Sequence, residues 1–160
     1  MAFGSSSSVF QEWNRMTNNA LATGYAGLSV DAVQGALFSN SVTPDRAAAV
    51  TSTGYNTGTW LAANELTDTN WPAKGRTLAS KTFTTPSTGV FMFDAADLSG
   101  AGNVTISNAY GLFVFDDSIT GSTVADQGIC FLAFGGPASV TSGTMTVAFN
   151  ASGLARWTSS

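Results

Sequence analysis

The chain has 160 residues, of which only 10% are Asp, Glu, Lys or Arg, and its formal net charge is −4. An average globular domain carries about 25% charged residues, whereas this chain is rich in hydroxyls, with 19 Ser and 21 Thr. The hydrophobic fraction of 44% excludes wholesale disorder, and the acidic balance argues against nucleic-acid binding, which needs clustered Lys and Arg.

The residue types exclude several chemistries. The sequence has no His and a single Cys, so it contains no His-based catalytic pair, no intramolecular disulfide and no multi-cysteine zinc site. No run of about 18 apolar residues is present, and the N-terminus lacks a basic segment followed by an apolar core. We therefore expect no membrane span, no secretory signal and no cofactor.

The first segment has the pattern of an amphipathic helix over residues 8–21. Ser8 and Gln11 match a capping box, and Gly24 is expected to end the helix. The apolar residues that recur near helical spacing are Val9, Phe10, Trp13, Met16, Ala20 and Leu21.

After residue 27 the pattern is mostly β, with short apolar or alternating runs separated by turn signals. The expected strands cover residues 28–38, 77–83, 90–93, 103–107, 110–115, 128–134, 139–141 and 144–150. The Gly-Gly-Pro sequence at 135–137 is expected to break the strand before it. The fold class is therefore predicted to be mainly β, an antiparallel β-sandwich or barrel-like domain over residues 28–160, with an N-terminal helical arm over residues 1–27.

Carboxylates are sparse and their patterns are weak signals for catalysis. Asp116, Asp117 and Asp126, like Asp94 and Asp97, lack the spacing of a calcium loop and are more typical of turns. Glu65 with an Asp could in principle form the carboxylate pair of a glycoside hydrolase.

Two further groups of residues carry alternative interpretations. Cys130 lies among apolar neighbours and is expected to be a buried small hydrophobe. Four aromatic residues could form a sugar-binding platform or belong to the core; they are Tyr55, Trp60, Trp71 and Trp157.

The apolar stripe of the N-terminal helix also leaves two alternatives open. The helix could pack on its own domain, or it could dock on a neighbouring protein, as amphipathic helices do in apolar grooves. On the second alternative, the predicted partner-binding residues are Val9, Phe10, Trp13 and Met16.

Several segments, in order, resemble a known family. They are residues 36–45 (ALFSNSVTPD), 63–67 (ANELT), 78–83 (LASKTF), 110–117 (YGLFVFDD), 126–136 (DQGICFLAFGG) and 140–147 (VTSGTMTV). The chain resembles small virion proteins of tailed bacteriophages, particularly those of actinobacteria, which are head decoration, minor capsid or minor tail proteins. It departs from the family at residues 68–75 (DTNWPAKG), where a Gly-x-Gly-Tyr-x-x-Gly-Gly turn is common.

The resemblance implies a structural role in the virion, with no catalytic residues. The expected function is a non-enzymatic capsid decoration protein that binds the major capsid protein as a homo-oligomer, most simply a trimer. The alternatives are a minor tail or tail-tip subunit, a module that binds host glycans, and, last, a glycan-degrading enzyme.

Overall fold

The computed structural model describes residues 6–18, 22–121 and 124–158. Strands account for 45% of the chain and helices for 9%. The fold is mainly antiparallel β and sandwich-like, with one short N-terminal helix, so the predicted fold class is confirmed.

The longest connection between regular elements, at residues 39–64, contains two 3₁₀ turns (Val50–Ser52 and Ala62–Asn64). In chain order the elements are β1 (Ser8–Val9), α1 (Gln11–Asn18), β2 (Val33–Phe38), β3 (Glu65–Leu66), β4 (Arg76–Thr77), β5 (Thr82–Ser87), β6 (Val90–Asp94), β7 (Leu98–Ser99), β8 (Val104–Asp116), β9 (Gln127–Gly143), β10 (Thr146–Val147) and β11 (Ala155–Thr158).

Within the described residues, the main sheet has the order β1-β9-β8-β2-β3, with β4 paired to β2. A second sheet has the order β11-β6-β5, and β7 pairs with β10. All these pairs are antiparallel. The last part of β8, residues 111–116, is buried throughout, as expected for a strand that is covered on both faces.

The two faces of the main sheet are covered by different parts of the chain. On one face Phe113 stacks on Trp60, with ring centroids 4.4 Å apart, and meets Phe10 edge to face. On the other face Leu112 and Leu98 lie so close to Gly35 that a Cβ there would stand 2.5 Å from the Leu98 side chain. Burial on both faces makes the aromatic cluster around Phe113 the centre of the core.

The N-terminal segment is part of the β domain, so the predicted separate arm is wrong. Ser8 and Val9 pair with Phe131 and Cys130 of β9, and the Gln11 amide donates to the Arg46 carbonyl oxygen at 2.9 Å. The helix begins at Gln11, three residues later than predicted, because Ser8 lies in a strand and does not cap it. The predicted continuation through Ala20 and Leu21 lies outside the described residues.

The predicted break at residues 135–137 is also wrong, since β9 runs through it. The register between β8 and β9 shifts there, from Ala109↔Ala138 to Gly111↔Ala133, and Gly135 has a φ of +76°. A β-bulge thus accommodates the Gly-Gly-Pro sequence without ending the strand. The partner strand behaves in the same way. The sequence predicts two strands over residues 103–107 and 110–115, but β8 runs through both of them, and its register with β9 shifts between Ile106 and Ala109.

Candidate functional site

The predicted partner-binding residues lie in the domain's own core. Phe10 and Met16 are 0% exposed and Trp13 is 2% exposed, and Val9 packs against the same cluster. Phe10 contacts the Phe113 and Phe131 rings, and the Trp13 ring meets Tyr25 edge to face. Burial leaves Phe10, Trp13 and Met16 almost no surface to offer a partner, so the expectation that they form a docking stripe is corrected.

The predicted aromatic platform does not form either. Tyr55, Trp60 and Trp71 are buried, and of the four residues only Trp157 keeps a partly exposed side chain. Tyr55 stacks on Phe115, with centroids 4.9 Å apart, and Trp60 stacks on Phe113. These rings are core residues because they cover one face of the main sheet.

An exposed aromatic pair lies instead on the second sheet. Phe83 of β5 and Phe91 of β6 are 49% and 40% exposed, and their rings stack 6.3 Å apart. The Phe83 ring is also 5.8 Å from Trp157 of β11. The register explains the cluster, because Phe91 lies opposite Trp157 and Phe83 lies opposite Phe93, so all four side chains share one face of the sheet.

A cleft of about 400 Å³, which we call the aromatic cleft, lies beside this sheet, and Phe83, Phe91 and Trp157 form one of its walls. Helix α1 supplies the other wall with Trp13, Asn14 and Thr17. Sequence reasoning missed Phe83 and Phe91. The signal that could have found Phe83 is a lone aromatic residue in the otherwise polar strand Thr-Phe-Thr-Thr-Pro-Ser, whereas Phe91 lies in an apolar strand and gives no such signal.

Three polar side chains that line the aromatic cleft form hydrogen bonds within the protein. Trp157 Nε1 donates a hydrogen bond to Asn14 Oδ1 at 2.5 Å. Thr17 Oγ1 donates to the Trp13 carbonyl oxygen at 3.0 Å. The Trp157–Asn14 bond therefore joins the C-terminal strand to the N-terminal helix.

Two of the carboxylates singled out in the sequence, Asp117 and Asp126, meet around one lysine. Lys74 Nζ lies 2.5 Å from Asp117 Oδ1 and 2.8 Å from Asp126 Oδ2. Burial raises the pKa of Asp126, while its bond to Lys74 opposes that rise. The lysine side chain is 43% exposed, so these ion pairs tie the residue 116–126 connection to the Lys74 turn without adding much stability.

Glu65 lies beneath this network and is 9% exposed. Its Oε2 accepts hydrogen bonds from the Tyr55 hydroxyl at 2.5 Å and from the Lys74 amide at 3.3 Å. That amide faces Glu65 because Lys74 and Gly75 both have left-handed backbones, with φ of +67° and +71°. Burial raises the pKa of Glu65 against the opposing effect of these bonds. A raised pKa suits a general acid, but Tyr55 covers this carboxyl and Glu65 does not line the aromatic cleft.

A second pair of carboxyl groups is buried without a lysine or arginine among its recorded contacts. Asp116 is 0% exposed and Asp31 is 4% exposed. Asp116 Oδ1 accepts the Ser118 amide at 3.0 Å, and Asp31 Oδ2 accepts the Ala26 amide at 2.9 Å. Burial raises the pKa of Asp116 to about 7, and the neighbouring Asp31 carboxylate adds to this rise. The hydrogen bond from the Ser118 amide acts in the opposite direction and lowers the pKa. This pair joins the loop before β2 to the end of β8.

The remaining candidates behave as core or turn residues. Cys130 is 1% exposed, and burial raises the pKa of its thiol to about 12, which makes it unreactive. Across residues 6–18, 22–121 and 124–158, no group of three or more Cys, Asp or Glu side chains is arranged to hold a metal ion. No helix in these same stretches is long and apolar enough to cross a membrane.

The chain matches no protein-family model, and no curated protein or solved structure is significantly similar to it.

Proposed function

We propose that this chain is a non-enzymatic structural protein of a bacteriophage virion, where it acts as a capsid decoration protein bound to the major capsid protein. The observation that carries the proposal is the stacked, half-exposed pair of Phe83 and Phe91 on a hairpin whose edge strand is exposed at all six residues. Exposed aromatic clusters mark protein contacts, and aromatic side chains are common interface anchors. The resemblance of the sequence to phage virion proteins supplies the kind of particle.

The mechanism follows from mass action. A protein that binds the assembled shell and not its free subunits stabilises the shell. Repetition over a closed shell lets individually modest contacts act together. The absence of an accessible nucleophile at Cys130 and the cover that Tyr55 places over Glu65 agree with a structural role.

The test compares particles assembled with and without the chain. We expect particles that contain the chain to keep their DNA at a higher temperature, and the copy number to follow the symmetry of the head. A few copies per particle would favour the minor tail or tail-tip alternative. Absence from the particle, or lysis of cell walls by the pure protein that Glu65→Gln abolishes, would contradict the proposal.

A further inference from the structure

We propose that Asp31 and Asp116 share one proton and act as a pH-sensitive clasp, which holds the loop at residues 24–31 closed at acidic pH and releases it when the proton leaves. The clasp depends only on these two carboxyl groups and on the loop between Thr23 and Ala32. It therefore stands or falls independently of the proposed role in a virion.

One oxygen of this carboxyl pair lacks a hydrogen-bond donor. Asp116 is 0% exposed, and its Oδ2 has no partner among the described residues, whereas its Oδ1 accepts the Ser118 amide. Asp31 is 4% exposed, and its Oδ2 accepts the Ala26 and Gly27 amides at 2.9 and 3.0 Å. Leaving a buried oxygen without a partner is costly. A proton on Asp116 Oδ2 removes this cost, because the hydroxyl then donates to the Asp31 carboxylate.

No positive charge compensates the pair. Neither carboxyl forms an ion pair with a Lys or Arg of the described residues. The charged groups that act on Asp116 are the carboxylates of Asp31 and Asp117, and Asp117 is itself paired with Lys74. Tyr25 is the third titratable neighbour, and burial raises the pKa of its hydroxyl, with a smaller contribution from the two carboxylates of the clasp. Two buried like charges repel each other, so the closed pair retains a proton that solvated carboxylates would lose.

The loop is fixed at its two ends and weakly held between them. It is bonded to the connection at residues 116–126 through Thr23 on one side and through Ala32 on the other. Between these anchors only Leu28 and Asp31 are buried. A segment with so little buried surface opens locally at a lower cost than the sheets unfold. Loss of the shared proton is therefore relieved by opening of this loop, which returns both carboxylates to water.

Opening of the loop also alters the aromatic cleft. Tyr25 and Leu28 belong to the loop and line the cleft, and the Tyr25 ring meets Trp13 edge to face. The clasp thus makes one part of the cleft wall depend on pH.

Native-state hydrogen exchange followed by NMR tests the clasp at single amides. The Ala26 and Gly27 amides donate to Asp31 and report on the loop, whereas the amides of β8 report on the main sheet. Each exchange rate is compared with that of an unstructured peptide at the same pH, which removes the base catalysis of exchange. We expect the protection of Ala26 and Gly27 to fall about tenfold per pH unit between pH 5 and pH 6.5, since opening releases one proton in this range, and to level off above about pH 7.5.

Low concentrations of urea separate opening of the loop from global unfolding. Opening of the loop exposes little surface, so exchange at Ala26 should not respond to urea below the unfolding transition, whereas exchange in β8 should. Loop amides with the protection and the urea dependence of the β8 amides would overturn the clasp, because the pair would then act on the whole fold.

Asparagine imitates the protonated acid and gives the matched variants. Asp116→Asn keeps a donor that faces Asp31, so the protection of Ala26 should stay high and constant from pH 5 to pH 8. Asp31→Asn removes the other charge of the pair and should have the same effect. Asp45→Asn changes an exposed carboxylate on another loop and should keep the native pH dependence.

Three results would overturn the proposal. The first is a native chain whose protection at Ala26 and Gly27 does not change with pH. The second is a native pH dependence in both Asp116→Asn and Asp31→Asn. The third is protection that excess Ca²⁺ restores at pH 8 in the native chain but not in Asp116→Asn, which would assign a bound cation to the pair in place of the shared proton.

Discussion

At the scale of single residues, burial decides which of the chemically suggestive side chains can act. Trp13 and Phe10 have the types expected of interface anchors, but their rings are enclosed by the chain's own core. Phe83 and Phe91 have the same chemistry and remain half exposed. The sequence contains both sets, and only the packing of the second sheet distinguishes them.

Asp116 gives a prediction for the pH dependence of stability. Its pKa is about 7 in the folded protein, against about 3.9 in an unfolded chain. Between these values the folded state binds the extra proton, so this group makes the free energy of unfolding fall as pH rises, by on the order of 2 kcal/mol between pH 5 and pH 8. Asp116→Asn should flatten this slope, as measured by urea unfolding at several pH values.

The control for this prediction is Asp45→Asn, which changes an exposed carboxylate on a loop. It should keep the slope of the native chain. A native chain that is as stable at pH 8 as at pH 5, or an Asp116→Asn variant with an unchanged slope, would contradict the assignment.

At the scale of elements, apolar runs predicted the existence of strands better than their ends. The strands around residues 90–93, 110–115 and 128–134 are confirmed. In the last two, residues 111–116 and 127–131 are buried throughout, and burial on both faces needs continuous apolar sequence. The Gly-Gly-Pro sequence at 135–137 is a local breaker, but pairing with β8 outweighs it and a bulge absorbs it.

The aromatic cleft could not be predicted by the same reasoning. Its walls come from α1, the β5–β6 hairpin and β11, which lie far apart in the chain. No spacing rule connects such positions, because their proximity depends on how the second sheet packs beside the helix. The Lys74 network has the same origin, since Asp117 and Asp126 approach Lys74 only when the connection after β8 folds back.

The N-terminal helix gives the prediction at this scale. Trp13→Ala should lower the free energy of unfolding by about 3–5 kcal/mol, the usual cost of removing a buried tryptophan ring. Gln11→Ala, at an exposed position of the same helix, should change it by less than about 0.5 kcal/mol. Denaturant unfolding followed by far-UV circular dichroism measures both.

Deletion of residues 1–24 should then abolish the cooperative transition, because a typical domain has only about 5–15 kcal/mol in total. A truncated protein that unfolds cooperatively would restore the idea of a separable arm.

At the scale of the whole molecule, the chain is a mainly antiparallel β domain whose second sheet carries the half-exposed rings of Phe83 and Phe91. Its charged residues are few, so long-range electrostatic steering contributes little to association. The proposed binding to particles should accordingly persist at high salt, since apolar contacts are not screened.

We expect the isolated protein to form a closed homo-oligomer, with a trimer as the proposed state, since closed rings are the usual assemblies and decoration proteins act on symmetric shells. Light scattering should then give three times the mass of 16.4 kDa. A single species at the monomer mass across the accessible concentration range would contradict this proposal.

The pairing of β1 with β9 has a consequence for the time at which the protein folds. Ser8 meets Phe131 in the finished sheet, so β1 has no partner strand until the ribosome has synthesised the chain as far as Phe131. Until then the Phe10 ring lacks its contact with Phe131, and folding must close a very long loop. Completion of this sheet is therefore a late event in folding, and until then the apolar side chains that precede it are exposed to chaperones and proteases.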